Sequence, residues 1–211
     1  MVQKHSERSE LRRRGRPRQY DPERALAKAA EVFWKQGYAG TSLDDLATAT
    51  GMNRPSLYAA FGDKRELYLK TLQRYREQSR AMALKVMAES PTLRVFLKRF
   101  YEQAVDVYLA GGDEARGCYS ISTAPAQATT DPGVRAYLAA SIGNTDSFLA
   151  DQIAKARERG ELSAKAEPQV LAQMATATLH TIAVRSRAGV PRKQLIALAA
   201  AAINLICRPE K

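Results

Sequence analysis

The chain has 211 residues, enough for one compact unit or two small ones with a sizeable core. Its 33 Lys and Arg against 22 Asp and Glu give a net charge of +11, which favours polyanionic partners but does not by itself separate nucleic acid from an anionic membrane surface. Two cysteines, Cys118 and Cys207, exclude a disulfide framework and a cysteine-rich metal centre, and we predict neither a metal nor a cofactor.

A flexible basic arm is predicted over residues 1–19. Within residues 1–20, seven Lys and Arg stand against two Asp and Glu, and Gly15 and Pro17 disfavour a helix. We expect the arginines to reach DNA, although a solvated basic tail is the alternative. The run from Arg14 to Arg18 also resembles the core of an AT-hook, which enters the narrow minor groove of A·T-rich DNA. The predicted DNA contacts in the arm are Arg12, Arg13, Arg14, Arg16 and Arg18.

A first helix is predicted over residues 22–36, with Asp21 as its N-terminal cap. A short second helix follows, because Ser42 and Asp45 have the spacing of a capping box. Gly51 then suits the left-handed backbone that often ends a helix. Helix two therefore ends in a tight turn.

A third helix is predicted from Asn53, its cap, to Gly62, with Leu57 and Phe61 facing inward. Helix, tight turn and helix form the helix-turn-helix pattern, in which the second helix enters the major groove of duplex DNA. Outside the arm, the predicted DNA contacts are Thr41, Ser42, Asn53, Arg54, Pro55, Ser56, Tyr58 and Lys64.

The first third of the chain resembles the TetR family of bacterial transcriptional regulators. The residues of the resemblance include Phe33, Gly37, Tyr38, Thr41, Leu46, Ala47, Gly51, Tyr58, Phe61, Gly62, Lys64 and Leu67. The resemblance implies a homodimeric regulator, usually a repressor, that binds a palindromic operator in double-stranded DNA and is released by a small effector. It also implies a DNA-binding domain over residues 20–66 and an effector-binding and dimerisation domain over residues 67–211.

Six further helices are predicted after the DNA-binding head. Each is bounded by Gly, Pro or a capping residue, and each repeats its apolar positions with a helical period. The six segments are 64–89, 90–111, a shorter one around 116–127, 131–160, 168–188 and a last helix that ends near Cys207. The predicted fold is all-α, with three helices in the head and six in the body, about nine in all.

The last helix is apolar around most of its circumference between Ala197 and Ile206, so it must be covered on more than one side. A central core helix would satisfy this requirement, and so would a helix that meets its own copy across a two-fold axis. The resemblance implies the second arrangement, a four-helix dimer interface. The predicted interface residues are Leu171, Leu179, Ile182, Leu195, Leu198, Ala199, Ala202, Ile203 and Ile206.

The resemblance also implies an effector pocket between the helices of the body. Aromatic side chains mixed with a few hydroxyls suit a mostly apolar ligand, although each of them is also compatible with core packing. The effector itself is unknown. The candidate lining residues are Phe96, Phe100, Tyr108, Cys118, Tyr119, Tyr137, Ser141, Thr145, Phe148, Met174 and Thr178.

Three alternatives remain open at this stage: an architectural DNA-binding protein with little sequence preference, a redox-responsive regulator that uses Cys118, and a helical enzyme with an added DNA head. No nucleophilic triad, carboxylate dyad or phosphate loop is present in the sequence, so we predict no enzymatic activity. The charged N-terminus lacks an apolar segment, and the apolar stretch from Leu195 to Cys207 is too short to span a bilayer. We therefore expect a cytoplasmic protein with no membrane partner.

Overall fold

A computed structural model describes residues 21–111 and 115–208. Within these ranges the chain forms nine helices and no strand, which confirms the predicted all-α fold with a three-helix head and a six-helix body. The helices are α1 (Pro22–Gly40), α2 (Leu43–Thr50), α3 (Arg54–Phe61), α4 (Lys64–Ala88), α5 (Leu93–Leu109), α6 (Tyr119–Ala128), α7 (Pro132–Glu158), α8 (Pro168–Arg187) and α9 (Arg192–Ile206).

Side-chain caps set the starts of α1 and α4, and the cap of α1 is the predicted Asp21. Asp21 accepts hydrogen bonds from two free backbone N–H groups at the start of α1, and Asp63 accepts one at the start of α4. The regular α-helical geometry of α1 is interrupted at Gly37, which has φ 73° and ψ 170°. The regular helix therefore ends near residue 36, as the sequence predicts, and the last residues to Gly40 form a separate turn. These caps satisfy donors that would otherwise be unpaired.

Two apolar clusters stabilise the molecule. The first joins the head to the body, because Leu67, Tyr68 and Leu72 of α4 pack with head residues such as Phe33 and with Tyr119 of α6. The second lies among α5, α7, α8 and α9. The predicted boundary between residues 66 and 67 therefore crosses a continuous core, so the head cannot move far without disturbing α4 and α6.

Contacts along α5 fix the directions of the body helices. The Leu93 N–H donates to Glu161 Oε2 at 2.6 Å, beyond the end of α7, whereas Phe96 meets Phe148 within α7. Helices α5 and α7 are therefore antiparallel. The Tyr101 hydroxyl donates to the Ala175 carbonyl at 2.9 Å.

Farther along α5, the Tyr108 carbonyl accepts from the Gly117 N–H at 3.2 Å. Gly117 has φ 66°, and an added Cβ there would come within 2.7 Å of the Ala183 carbonyl. Residues 101 and 108 of α5 thus lie level with residues 175 and 183 of α8, so these two helices run in parallel. In the described part of the chain, no helix combines the length and the apolar character that crossing a bilayer requires.

Candidate functional site

The turn between α2 and α3 has the geometry of a rigid helix-turn-helix. Ser42 Oγ accepts from the Asp45 N–H, and the Asp45 carboxylate accepts from the Ser42 N–H at 2.8 Å, which completes the capping box. Gly51 adopts φ 71° at the end of α2, and Asn53 Oδ1 accepts from the Ser56 N–H at 2.8 Å at the start of α3. Leu57 and Phe61 anchor α3 in the head core, so the opposite face of the helix is presented to solvent.

Arg54, at the start of α3, is held by Asp44 of α2. Its Nε donates to Asp44 Oδ1 at 2.7 Å and its Nη2 to Asp44 Oδ2 at 2.5 Å, a bidentate pair on the surface. The hydrogen bond from Arg54 lowers the pKa of Asp44. This pair fixes the plane of the guanidinium before any ligand arrives. Sequence reasoning missed Asp44, because helical periodicity marks a residue as exposed without identifying its partner.

The other predicted contacts of the head occupy different environments. Asn53 and Pro55 are exposed, and Tyr58 has 47% of its surface accessible. Lys64 Nζ lies 4.4 Å from the centre of the Tyr38 ring, and partial burial lowers its pKa. The Thr41 side chain is buried and its hydroxyl donates to the Gly37 carbonyl at 2.7 Å.

The Thr41 side chain therefore stabilises the α1–α2 connection and does not face solvent, which is a correction to its predicted role. The arm residues Arg12, Arg13, Arg14, Arg16 and Arg18 lie outside the described residues.

A cluster of three aromatic rings and one arginine connects α1 of the head to the body. We call Trp34, Tyr75, Tyr119 and Arg116 the aromatic joint. Trp34 Nε1 donates to the Arg116 carbonyl at 3.0 Å, and the Trp34 ring lies 5.4 Å from Tyr75 and 5.5 Å from Tyr119 between ring centres. Arg116 also pairs with Glu31 on the outer side of α1. A movement of α6 would be transmitted to α1 through these contacts, because packed rings and paired polar groups resist independent displacement.

The predicted effector residues divide between two regions. The Tyr119 and Tyr137 hydroxyls are already engaged, by Thr71 Oγ1 at 2.8 Å and by the Leu72 carbonyl at 2.8 Å. Both rings belong to the core that joins head and body. Met174 is 45% exposed on the outer side of α8. These three residues therefore lie apart from the core around Phe96, and their role in lining an effector pocket stays a prediction.

The remaining predicted effector residues lie in or beside the body core. Phe96 contacts Phe100 and Phe148, with ring centres 5.6 Å and 6.0 Å apart. Tyr108 is buried in the same core. Ser141 and Thr145 are half-buried on α7, and the Thr178 hydroxyl donates to the Met174 carbonyl at 2.9 Å.

Two cavities lie elsewhere, near the α7–α8 connection. One of about 240 Å³ is lined by residues such as Leu162, Val170 and Leu205, and one of about 270 Å³ by residues such as Leu93, Glu161 and Cys207. None of the predicted effector residues lines either of them. Both cavities therefore lie beside the C-terminal end of α9.

The cysteines occupy separate environments. Cys118 Sγ accepts a hydrogen bond from the Tyr75 hydroxyl at 3.5 Å, whereas Cys207 is buried at the end of α9 beside Leu93 and Leu162. Burial raises the pKa of the Cys207 thiol. Both cysteines are free, and the described residues hold no group of three or more His, Cys, Asp or Glu side chains that could bind a metal ion.

The outer face of α8 and α9 differs from the predicted interface. Eight of the nine predicted residues pack within one protomer. Five of them are buried, namely Ile182, Leu195, Ala199, Ile203 and Ile206, and three half-buried ones, Leu171, Leu179 and Leu198, pack against the body core. The exposed apolar residues are instead Val170, Met174 and Val184 on α8 and Leu205 on α9, with 54%, 45%, 59% and 62% of their surfaces accessible. Val170, Met174, Ala177, Thr181 and Val184 repeat at three- or four-residue intervals and share one exposed stripe.

Two family models match the chain. One is described as "Bacterial regulatory proteins, tetR family" and covers residues 25–71, and the other as "Tetracyclin repressor-like, C-terminal domain" and covers residues 93–203. The first match includes α2 and α3 with their turn, and the second includes the body helices from α5 to α9.

Similar proteins extend over most of the chain. The HTH-type transcriptional regulator YezE of Bacillus subtilis is 30% identical over 149 residues, which are 71% of this chain and 76% of YezE. The HTH-type transcriptional repressor ComR of Escherichia coli is 26% identical over 91% of both chains. A solved structure of a cysteine-substituted CifR, a TetR-family regulator complexed with 26-base-pair operator DNA, is 30% identical with a TM-score of 0.80, covering 90% of this chain and 98% of that chain.

Proposed function

Because this chain belongs to the TetR family and is a DNA-binding transcriptional regulator, we propose that it is a homodimeric repressor, released from a palindromic operator by a small effector. The observation that carries the proposal is the exposed face of α3 from Asn53 to Tyr58, held rigid by the caps at Ser42 and Asn53. A rigid polar helix face of this kind fits the major groove. The protein acts where the chromosome is, in the cytoplasm, and no catalytic step belongs to this function.

Base recognition is assigned mainly to Arg54. A guanidinium whose plane is fixed by a carboxylate can present two N–H groups to the O6 and N7 atoms of guanine. Tyr58, one helical turn later, is exposed and can contact a thymine methyl group or a phosphate. The helix is positioned on the DNA backbone by Asn53, Pro55, Ser56 and Lys64. The arm arginines reach the adjacent minor groove.

The outer stripe of α8, with Leu205 of α9, is assigned to the dimer interface. Exposed apolar side chains at helical spacing are costly in water and are removed from it when a second copy covers them. Leu171, Leu198 and Ala202 lie partly exposed beside this stripe and can contribute to the same contact. A two-fold axis through the stripe places two copies of α3 at two half-sites of one operator.

Effector control requires a ligand that binds the body of the dimer and favours one relative arrangement of the two DNA-binding heads over another. Moving a population from 1:99 to 99:1 needs a differential binding free energy of about 5.5 kcal/mol. The core among α5, α7 and α8 is the proposed effector site. The joint at Trp34 and Arg116 is the proposed route from that site to α1, since it connects the two parts of the molecule directly.

The experiment that tests this function starts by selecting genomic fragments that the full chain binds. Affinity is then measured by fluorescence anisotropy for the selected operator, for one half-site alone and for a scrambled duplex of the same composition. A repressor of this kind binds the intact palindrome most tightly, as a dimer. Equal affinity for the scrambled duplex would contradict the proposal and would indicate an architectural protein instead.

A further inference from the structure

The helix α3 that faces the DNA has only eight residues, so its orientation depends on the contacts at its two ends. A helix shorter than about 12 residues is marginal without such support. The start of α3 is held by the Asn53 cap and by the pair between Arg54 and Asp44. The last turn carries Tyr58, whose carbonyl accepts from the Gly62 N–H at 2.9 Å. A contact that holds the last turn therefore also holds Tyr58.

A lysine on α4 supplies a contact of this kind. The Lys70 ammonium donates to the Phe61 carbonyl at 2.8 Å. Phe61 is the last residue of α3, so its carbonyl is one of those that have no partner inside the helix. Helical side chains point back toward the N-terminus of their own helix, so the Lys70 stem runs from the second turn of α4 to the end of α3. A cation at this place also stabilises the negative end of the α3 dipole.

The corner between α3 and α4 is closed by two further contacts. Gly62 has φ 83°, and a Cβ added there would overlap the Glu66 carboxylate. Asp63 Oδ1 accepts from the Glu66 N–H at 2.8 Å. Glu66 and Lys70 are one turn apart on the same face of α4, so one side chain covers Gly62 and the next holds the Phe61 carbonyl. A change in the angle between α3 and α4 would therefore break at least one of these contacts.

A direct phosphate contact is the alternative role for Lys70. The residue is exposed, and its ammonium has three donors, of which the Phe61 carbonyl takes one. Phosphates are attracted to the N-terminal ends of helices, however, whereas Lys70 is bound at the C-terminal end of α3. The two roles have different consequences. A phosphate contact adds affinity for every sequence, whereas a contact that orients α3 changes the discrimination between sequences.

We propose that Lys70 is a positioning residue for base recognition, which holds the last turn of α3 so that Tyr58 meets the operator in one orientation. This inference rests on the proposed recognition by α3 and adds a residue that acts without touching DNA. The ammonium acts through the Phe61 carbonyl. The base contact of Arg54 does not depend on Lys70, because Asp44 holds that end of α3 separately.

The test compares three substitutions at Lys70 in the full chain. Lys70→Met keeps the apolar stem and removes the ammonium, Lys70→Ala removes both, and Lys70→Arg keeps a charged donor. Lys85→Met, at an exposed position near the far end of α4, is the matched control. Fluorescence anisotropy over a range of salt concentrations measures affinity for the selected operator and for a scrambled duplex. Circular dichroism checks folding, and the two neutral variants are compared so that a folding defect in one does not decide the result.

The expected result is that Lys70→Met and Lys70→Ala lower the ratio of operator affinity to scrambled-duplex affinity by about fivefold, the equivalent of one hydrogen bond. Their salt slope and their affinity for the scrambled duplex should not change. Lys70→Arg should restore the ratio, and Lys85→Met should leave it unchanged.

A pair of double-mutant cycles locates the effect within α3. The effects of Lys70→Met and Tyr58→Ala on the ratio should not add, because a loosened Tyr58 contributes little that its removal could still take away. The effects of Lys70→Met and Arg54→Ala should add, because the two ends are held by different contacts. Additive effects of Lys70→Met and Tyr58→Ala would overturn the proposal.

Two further outcomes would also overturn it. An unchanged ratio with a salt slope shallower by about 0.9 would show that Lys70 contacts a phosphate. An unchanged ratio with an unchanged slope would show that the contact with Phe61 serves stability alone, even if the melting temperature falls. The wild-type protein separates this inference from the proposed function. If the wild type prefers the operator and the neutral variants keep that preference, only the role of Lys70 is rejected, whereas a wild type without preference rejects both.

Discussion

The guanidinium of Arg65 and the carboxylate of Asp131 form a bidentate ion pair, at 2.6 Å and 2.9 Å, that joins the first turn of α4 to the first turn of α7. Asp131 also accepts from the Gly133 and Val134 N–H groups as the N-cap of α7. Because α4 follows the recognition helix after only two residues, this pair ties the position of α3 to the body.

Replacing Asp131 with Asn keeps a capping oxygen and removes the charge. The hydrogen bond from Arg65 lowers the pKa of the folded Asp131, so its stabilising effect is present above the pKa of an unfolded aspartate, about 3.9, and is lost as the pH falls through the folded value. The wild-type melting temperature should therefore fall more steeply than that of Asp131→Asn below about pH 4.

Asp131→Ala should destabilise further, by about 1 kcal/mol beyond the Asn variant, because the cap is lost as well. Thermal denaturation followed by circular dichroism between pH 7 and pH 2 measures both effects. Asp151→Asn, on the exposed side of α7, is the control and should keep the wild-type pH profile. Parallel profiles for the wild type and Asp131→Asn would show that the ion pair contributes nothing in solution.

A second prediction concerns base specificity, which we assign to Arg54 and to Asp44, its partner. Arg54→Lys keeps the charge but loses the planar pair of donors, so binding to unrelated DNA should persist while discrimination at one operator base falls roughly tenfold or more. Asp44→Ala should also reduce discrimination, because the guanidinium is no longer fixed. It should raise affinity for unrelated DNA, because a negative charge near the phosphates is removed.

Competition binding with single-base operator variants and with unrelated DNA, at fixed salt, measures both the discrimination between bases and the affinity for unrelated DNA. Asp63 is an exposed acidic residue that caps the neighbouring helix, and Asp63→Asn is the control for loss of a negative charge near the same surface. If Asp44→Ala left the specificity ratio unchanged, Asp44 would have no role in positioning Arg54.

Local sequence signals predicted the elements of this fold and the exposed face of α3. Ser42, Asp45, Gly51 and Asn53 act on groups within a few residues, so their spacing alone predicts the helix starts and ends. Contacts between distant residues could not be predicted in this way: Trp34 and Arg116 are separated by 82 positions.

The sequence was least informative about which faces of α8 and α9 are buried and which are exposed. Both helices carry small or apolar residues on more than one side, so periodicity did not separate the buried face at Leu195 from the exposed one at Leu205. A buried polar side chain in the body had no sequence signal either, because Thr176 resembles a surface residue until the packing of α8 is known.

Val184→Glu tests the proposed dimer interface. Val184 is 59% exposed in one protomer, so the substitution should not disturb folding, but in a dimer it would bury an unpaired charge on both sides of the two-fold axis. The dimer dissociation constant should rise on the order of a hundredfold. Operator affinity should fall in parallel, because a monomer reads one half-site.

Sedimentation velocity over a concentration series measures the dissociation constant. Met82→Glu, at a 38% exposed position on α4, is the matched control and should leave the dimer intact. A Val184→Glu protein that stayed dimeric at nanomolar concentration would place the interface elsewhere.

Trp34 provides an intrinsic probe of the joint between head and body, because it is the only tryptophan in the chain. Its ring is 9% exposed and its N–H is paired with the Arg116 carbonyl, so its fluorescence should be shielded from acrylamide in the folded protein and shift to longer wavelength on unfolding. Trp34→Phe loses that hydrogen bond and some ring volume, and should cost about 1–2 kcal/mol.

The cost should not be larger, since the Arg116 carbonyl still accepts from Ser122 Oγ at 3.1 Å. Denaturant titration measures the free energy of unfolding, and Trp34→Tyr, which keeps a polar ring edge, is the comparison. Strong acrylamide quenching of native Trp34 would mean that the joint is open in solution.

Deleting residues 1–19 tests the role of the basic arm. If its five predicted arginines each neutralise a phosphate, the slope of log affinity against log salt concentration should become shallower by up to about 4–5, near 0.9 for each lost contact. The loss of affinity should affect all sequences, with a larger loss for operators flanked by A·T pairs if the arm enters the minor groove. Arg24→Ala, at an exposed position on α1, is the control for one surface charge and should change the slope by about 1 or less. An unchanged slope after the deletion would mean that the arm stays in solvent when the head is bound, and that α3 and its neighbours supply all of the phosphate contacts.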